Sequence, residues 1–126
     1  MAKRRWYKNK VEITDEAGRV KETIHEVITG RHGVGFGLAV VDIQRSSAHS
    51  HQHTTETYVL VSGRLEVTVL HGPVITPRIL DKPGQSLTIE PGHFHFAVSL
   101  YPTPARVTVQ SIPPWSPEDH IMYKMP

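Results

Sequence analysis

At 126 residues, 38% hydrophobic and 21% charged, the chain fits one globular domain with its own core, and its composition excludes wholesale disorder. The lack of cysteine excludes disulfides and thiolate metal sites, and no apolar run approaches the roughly 20 residues of a membrane-spanning helix. The net charge of +2 conceals a basic start: Lys3, Arg4, Arg5, Lys8 and Lys10 come before any acid, and acids outnumber bases in the rest.

This basic arm reads as a solvated extension, or as one lying across a partner subunit. Nucleic acid is not expected as a partner, because only Trp6 and Tyr7 offer stacking there and no nucleic-acid motif follows. The N-terminus has no apolar signal segment, so a cytoplasmic location is the default expectation.

Strand-like segments follow in order. Val11–Thr14 alternates, Asp15-Glu16-Ala17-Gly18 has a turn composition, and Val20–Ile28 is rich in β-branched residues. Gly30, Gly33, Gly35 and Gly37 punctuate the chain before the apolar run Leu38–Ile43. Thr57–Val61 and Leu65–Leu70 read as strands joined by a tight hairpin at Ser62-Gly63-Arg64. Pro73 and Pro77 allow the next segment an edge strand at most. Ser86–Ile89, His95–Leu100 and Val107–Ile112 complete the series. Pro117–Tyr123 reads as a short helical turn with Ser116 as N-cap and Pro117 at the first helical position.

No segment sustains a 3.6-residue apolar period. About eight to ten short strands separated by Gly and Pro predict an all-β antiparallel sandwich or barrel. Residues 1–19 form an arm with a first hairpin in this reading, 20–112 the barrel and 113–126 a Pro-rich tail.

Nine histidines are the telling feature of the composition. Five of them, His49, His51, His53, His93 and His95, fall in two short clusters, a metal signal by residue type. On an extended strand His49, His51 and His53 share one face, with neighbours roughly 7 Å apart along the backbone. Two imidazoles of such a row can converge on one ion; three cannot, so one is left over. Glu56 lies at an odd offset from His51 and joins the site only if Thr54-Thr55 bends the chain. Pro91-Gly92 then sets a turn before His93-Phe94-His95. His25, His32, His71 and His120 belong to no constellation and read as surface or loop residues, and Phe94 and Phe96 as core packing.

These two stretches resemble the cupin superfamily. His49, His51, Glu56 and Gly63 match its first motif, and Gly84, Pro91, Gly92 and His95 match its second. With the strand pattern, the likeness covers most of residues 20–112. It implies a double-stranded β-helix, or jelly roll, in which His49, His51, Glu56 and His95 are the metal ligands. His51 with His53 is the alternative pair, but only His49 with His51 has the family's spacing to Glu56. The sequence departs from the second motif at Ser99, where Asn is frequent, and at Glu90, where many relatives have Pro. Neither departure removes a ligand.

Three neutral imidazoles and one carboxylate suit a single divalent transition metal, Mn, Fe, Co, Ni or Zn, rather than Ca or Mg. A six-coordinate ion would keep two positions for water or substrate, and could polarise a carbonyl, stabilise an enediolate or bind dioxygen. Tyr58 shares the parity of Glu56. Gln44, Gln110 and His53 are further candidates for contacting a small-molecule substrate, and His53 and Tyr58 are the first candidates for catalysis. His53 and His93 also suit the mouth of the pocket, or an orienting role behind the ligands. The resemblance extends to small cupins that are isomerases, dioxygenases and decarboxylases. It therefore implies a metal-dependent enzyme acting on a small oxygenated molecule, with a non-catalytic binding or sensing module as the alternative. It also implies a homodimer packed through N-terminal strands.

Overall fold

A computed structural model describes residues 3–6 and 9–123. Tyr7 and Lys8 lie outside the described residues, and for Lys3, Arg5 and Trp6 only the backbone is described. The strands are β1 (Lys3–Trp6), β2 (Lys10–Thr14), β3 (Val20–Ile28), β4 (Gly37–Ile43), β5 (His49–His51) and β6 (Thr55–Ser62). Then come β7 (Leu65–His71), β8 (Val74–Leu80), β9 (Ser86–Ile89), β10 (Phe94–Ser99), β11 (Ala105–Ile112) and β12 (His120–Met122). All pairings among them are antiparallel. One sheet runs β1-β2-β3-β4-β11-β6-β9 and the other β12-β5-β10-β7-β8. This is the all-β antiparallel architecture that the strand pattern predicts, and the jelly roll that the cupin resemblance implies.

Period-two alternation puts the core between the sheets. In β11, Ala105, Val107, Val109 and Ser111 are buried while Arg106, Gln110 and Ile112 are exposed. In β6, Glu56, Tyr58 and Leu60 point inward; in β10, His95, Ala97 and Ser99 do. The same interior rows therefore carry apolar packing at one end, around Leu60, Val67, Ala97 and Val107, and polar donors at the other. Phe94 and Phe96, expected in the core, are only half-buried, because the inward parity of β10 belongs to His95 and Ala97.

The connection at Ser62-Gly63-Arg64 is not a hairpin. β6 already has β11 and β9 as neighbours, and β7 has β10 and β8, so neither has an edge left for the other. The chain instead crosses from one sheet to the other. Gly63 makes this corner with φ 87°, and a Cβ there would stand 3.0 Å from Ala105 Cα. Left-handed backbone and close approach together call for glycine. β8 is an edge strand despite Pro77, as the proline allows.

Both chain ends contribute strands. β1, within the basic arm, pairs with β2 on the border of the seven-stranded sheet. At the other end, Ser116 and Pro117 begin a single 3-10 turn, Pro117–Asp119, which gives way to β12 rather than running on to Tyr123. β12 pairs with β5, setting His120 opposite His51 and Met122 opposite His49.

Candidate metal centre

His49 and His51 project from β5, His95 from β10 and Glu56 from β6. His49 and His95 are cross-strand partners. The bend that Glu56 requires occupies residues 52–54 and is held by Asp119. Its carboxylate accepts the backbone N–H groups of Gln52 (2.7 Å), His53 (3.1 Å) and Thr54 (3.1 Å). Asp119 lies near the molecular surface yet is covered by these groups. Covering alone would raise its pKa, but the donated hydrogen bonds of His53, Gln52 and Thr54 hold it below the usual carboxylate range. The Gly92 N–H, donating to the His51 carbonyl at 2.7 Å, ties the second motif to the first.

One donor atom from each of His49, His51, Glu56 and His95 lies within 4.8 Å of the others, and all four side chains are buried. Opposite ligands of a single ion stand about 4.2 Å apart, so small side-chain adjustments close the set on one cation. Two ring orientations are fixed from behind. His49 Nδ1–H donates to the Ser47 carbonyl at 2.8 Å, and His95 Nδ1–H to the His93 carbonyl at 3.2 Å. A carbonyl can only accept, so the Nε2 atom of each neutral ring presents a lone pair to the centre.

The Nε2 atoms of His51 and His95 lie 3.2 and 3.1 Å from the same oxygen, Glu56 Oε1. An imidazole lone pair facing a carboxylate is repulsive unless a proton or a metal cation stands between them. The angle at His51 makes no hydrogen bond despite the distance, so both of its nitrogens are buried without a partner. Such orphaned atoms are costly in a protein interior and are what a bound cation would satisfy. The donor set fits a divalent transition metal.

Electrostatics agree. Burial, together with the neighbouring His95 and His120, pushes His49 down to about 3, so its ring is neutral and able to ligate. Burial would raise Glu56, but positive charge on His51 and His95, when a proton rather than a metal cation stands between ring and carboxylate, outweighs it and holds the carboxyl well below its usual range.

The site forms one wall of a cavity of about 550 Å³ between the sheets. Val11, Ile24, Val41 and Val109 give it apolar sides, while Arg4, Glu22 and Glu26 add charge. Tyr58 lines it as its parity predicts; burial and the charges of Glu56 and Glu22 raise its pKa, keeping the hydroxyl protonated. The other expected substrate contacts are placed elsewhere. His53 is exposed on the bend, outside the cavity lining. Gln110 faces outward because Val109 and Ser111 take the inward parity of β11. Gln44 donates to the Tyr101 carbonyl at 3.2 Å, away from the cavity. His93 packs against His71 in a tilted ring contact, centroids 4.2 Å apart, and reaches the site through its carbonyl.

His120 and Glu22 are among the cavity residues that sequence reasoning missed. His120, expected on the surface, lies parallel to His49 with centroids 4.4 Å apart. Burial and the nearby His51 and Arg4 lower its pKa to about 4. Glu22 lies on β3 with its carboxyl enclosed but opening on the cavity. Burial lifts its pKa to about 7, aided by Glu56 and opposed by Lys21 and Arg4. The 22–24–26 parity marks that face, but acids on it look like a solvated surface.

Fold and donor set together define a cupin-type barrel with a candidate metal centre. No family model matches the chain, and no curated protein matches it by sequence. Solved structures do. Oxalate oxidase in complex with glycolate is similar with TM-score 0.65 and 21% identity over 74% of this chain and 51% of that one. KdgF from Halomonas sp. is similar with TM-score 0.63 and 19% identity over 75% of this chain and 82% of that one. Ectoine synthase from P. lautus is similar with TM-score 0.61 and 16% identity over 84% and 78%. The chain thus spans about half the length of the oxalate oxidase it matches. At these identities the likeness establishes the cupin fold.

Proposed function

We propose that this protein is a metal-dependent enzyme of isomerase or dioxygenase type that acts on a small oxygenated molecule. The observation that carries the reading is the convergence of His49, His51, Glu56 and His95, buried and with orphaned His51 nitrogens, on the wall of a ligand-sized cavity. These four residues would hold one ion of Mn, Fe, Co, Ni or Zn. Bound there, the ion supplies Lewis acidity toward an oxygen atom of the substrate.

The chain's own groups supply the rest. Apolar sides exclude water from the body of the ligand. Tyr58, kept protonated, is suited to donate a hydrogen bond. Glu22, poised near neutrality and facing the cavity, is the group best suited to take up or give a proton, and replaces His53 in that role. The names of the similar structures, which include an oxidase and a synthase, support an enzymatic reading.

Elemental analysis of protein purified without added metal tests the centre. About one transition-metal ion per chain is expected; failure to retain any of the five metals after incubation would overturn the reading. Turnover assays on oxygenated substrates, with Glu22→Gln losing activity but not metal, separate an enzyme from a binding module. A homodimer packed through the N-terminal strands, with β1 on the border of its sheet, is part of the proposal and is tested by light scattering.

A further inference from the structure

His120 and its surroundings have no part in the four-residue donor set, yet they are built around it. The ring lies flat on His49, 14° from parallel, and meets His51 edge-on with centroids 5.5 Å apart. Its position is fixed by its pairing with His51 on the β12–β5 ladder and, one residue earlier, by Asp119 with its three backbone donors. Arg4 lies 5.6 Å over the indole of Trp115, and the Trp115 Nε1–H reaches His120 Nδ1 at 3.4 Å.

That last contact settles the tautomer. An indole nitrogen can only donate, so His120 Nδ1 accepts, and in the neutral ring the proton is on Nε2. Trp115 meets the ring at Nδ1, not at Nε2, and the ring lines the cavity. A fixed N–H beside the metal donors is a preorganised hydrogen-bond donor, of the kind that discriminates between ligands by the charge on their oxygen atoms.

We propose that His120 is a ligand-positioning residue, whose Nε2–H donates to an oxygen of a small carboxylate-bearing molecule bound at the open side of the metal centre. This rests on the metal-centre reading above. If His120 served only to pack His49, a flat aromatic ring would replace it without loss of ligand affinity. If it positions the ligand, removing the N–H weakens ligand binding and leaves metal binding intact.

The test uses cobalt(II)-loaded protein titrated with glycolate as probe, followed by the visible cobalt absorption. His120→Phe keeps a stacking ring and should hold its cobalt while binding glycolate about tenfold or more weakly, as loss of one charge-assisted hydrogen bond implies. His120→Gln, which retains an N–H, should recover part of the affinity and covers the case in which the Phe variant folds poorly. Long-range proton–nitrogen NMR of wild type should show the neutral ring protonated on Nε2.

Equal glycolate affinity in His120→Phe and wild type, or a proton found on Nδ1, would overturn the role of His120 and leave the metal centre standing. The role would also be overturned if wild type took up cobalt but never responded to glycolate. A wild-type protein that takes up none of the five metals, cobalt included, would bring down both readings.

Discussion

Asp119 and Gln52, far apart in sequence, are joined by a 2.7 Å hydrogen bond from the Gln52 backbone N–H to the Asp119 carboxylate. The same carboxylate holds His53 and Thr54, so the short bend between His51 and Glu56 takes its shape from a residue in the last segment of the chain. Asp119→Ala would leave these N–H groups unpaired, that of Thr54 deeply buried. It should cost about 3 kcal/mol, read as a lower urea midpoint, and should weaken metal retention by releasing Glu56.

His51→Ala removes a donor with no other bonding duty. It should strip most of the bound metal while the far-ultraviolet circular dichroism stays that of a folded barrel. Wild-type metal content in this variant would contradict the assignment of His51.

Chelation should leave the barrel folded, because much of its apolar core, around Leu60, Val67, Ala97 and Val107, lies at the end of the interior away from the donors. Adding metal at about 100 times its dissociation constant should stabilise the fold by about 2.7 kcal/mol, seen as a metal-dependent melting temperature. A chain that unfolds on chelation would refute this.

In the metal-free protein, Glu22 has a pKa raised to about 7 from the usual 4.5. Between these values the folded chain holds a proton that the unfolded chain has lost. The stabilising contribution is therefore complete below about pH 4.5 and disappears as pH rises through 7. Allowing for screening by water in the cavity, the effect is on the order of 1–2 kcal/mol. Urea midpoints at pH 5 and pH 8 should show Glu22→Gln gaining on wild type at the higher pH.

Gly63→Ala puts a side chain on left-handed backbone and against Ala105. Strain of about 1–2 kcal/mol from the backbone, with crowding added, should lower the urea midpoint without changing metal content.

Much of this was legible in the sequence. Alternation and Gly/Pro punctuation locate most strands, and two short motifs name the four donors that the fold gathers. The misses share a physical cause. Gln110 was chosen for its chemistry, but one step of parity put Val109 and Ser111 inside instead. Ser62-Gly63-Arg64 has hairpin composition, yet whether two strands pair depends on which edges other strands have already taken. His120 reaches the site only through β12, a three-residue strand with no alternation long enough to announce itself.

The division of donors between layers has a mechanical meaning. Glu56 comes from the seven-stranded sheet and the three histidines from the five-stranded one, so a cation among them would rivet the two leaves together. Loading would make those leaves open as one unit, slowing amide exchange along β5, β6 and β10 together. The barrel would then report its own occupancy through its stiffness.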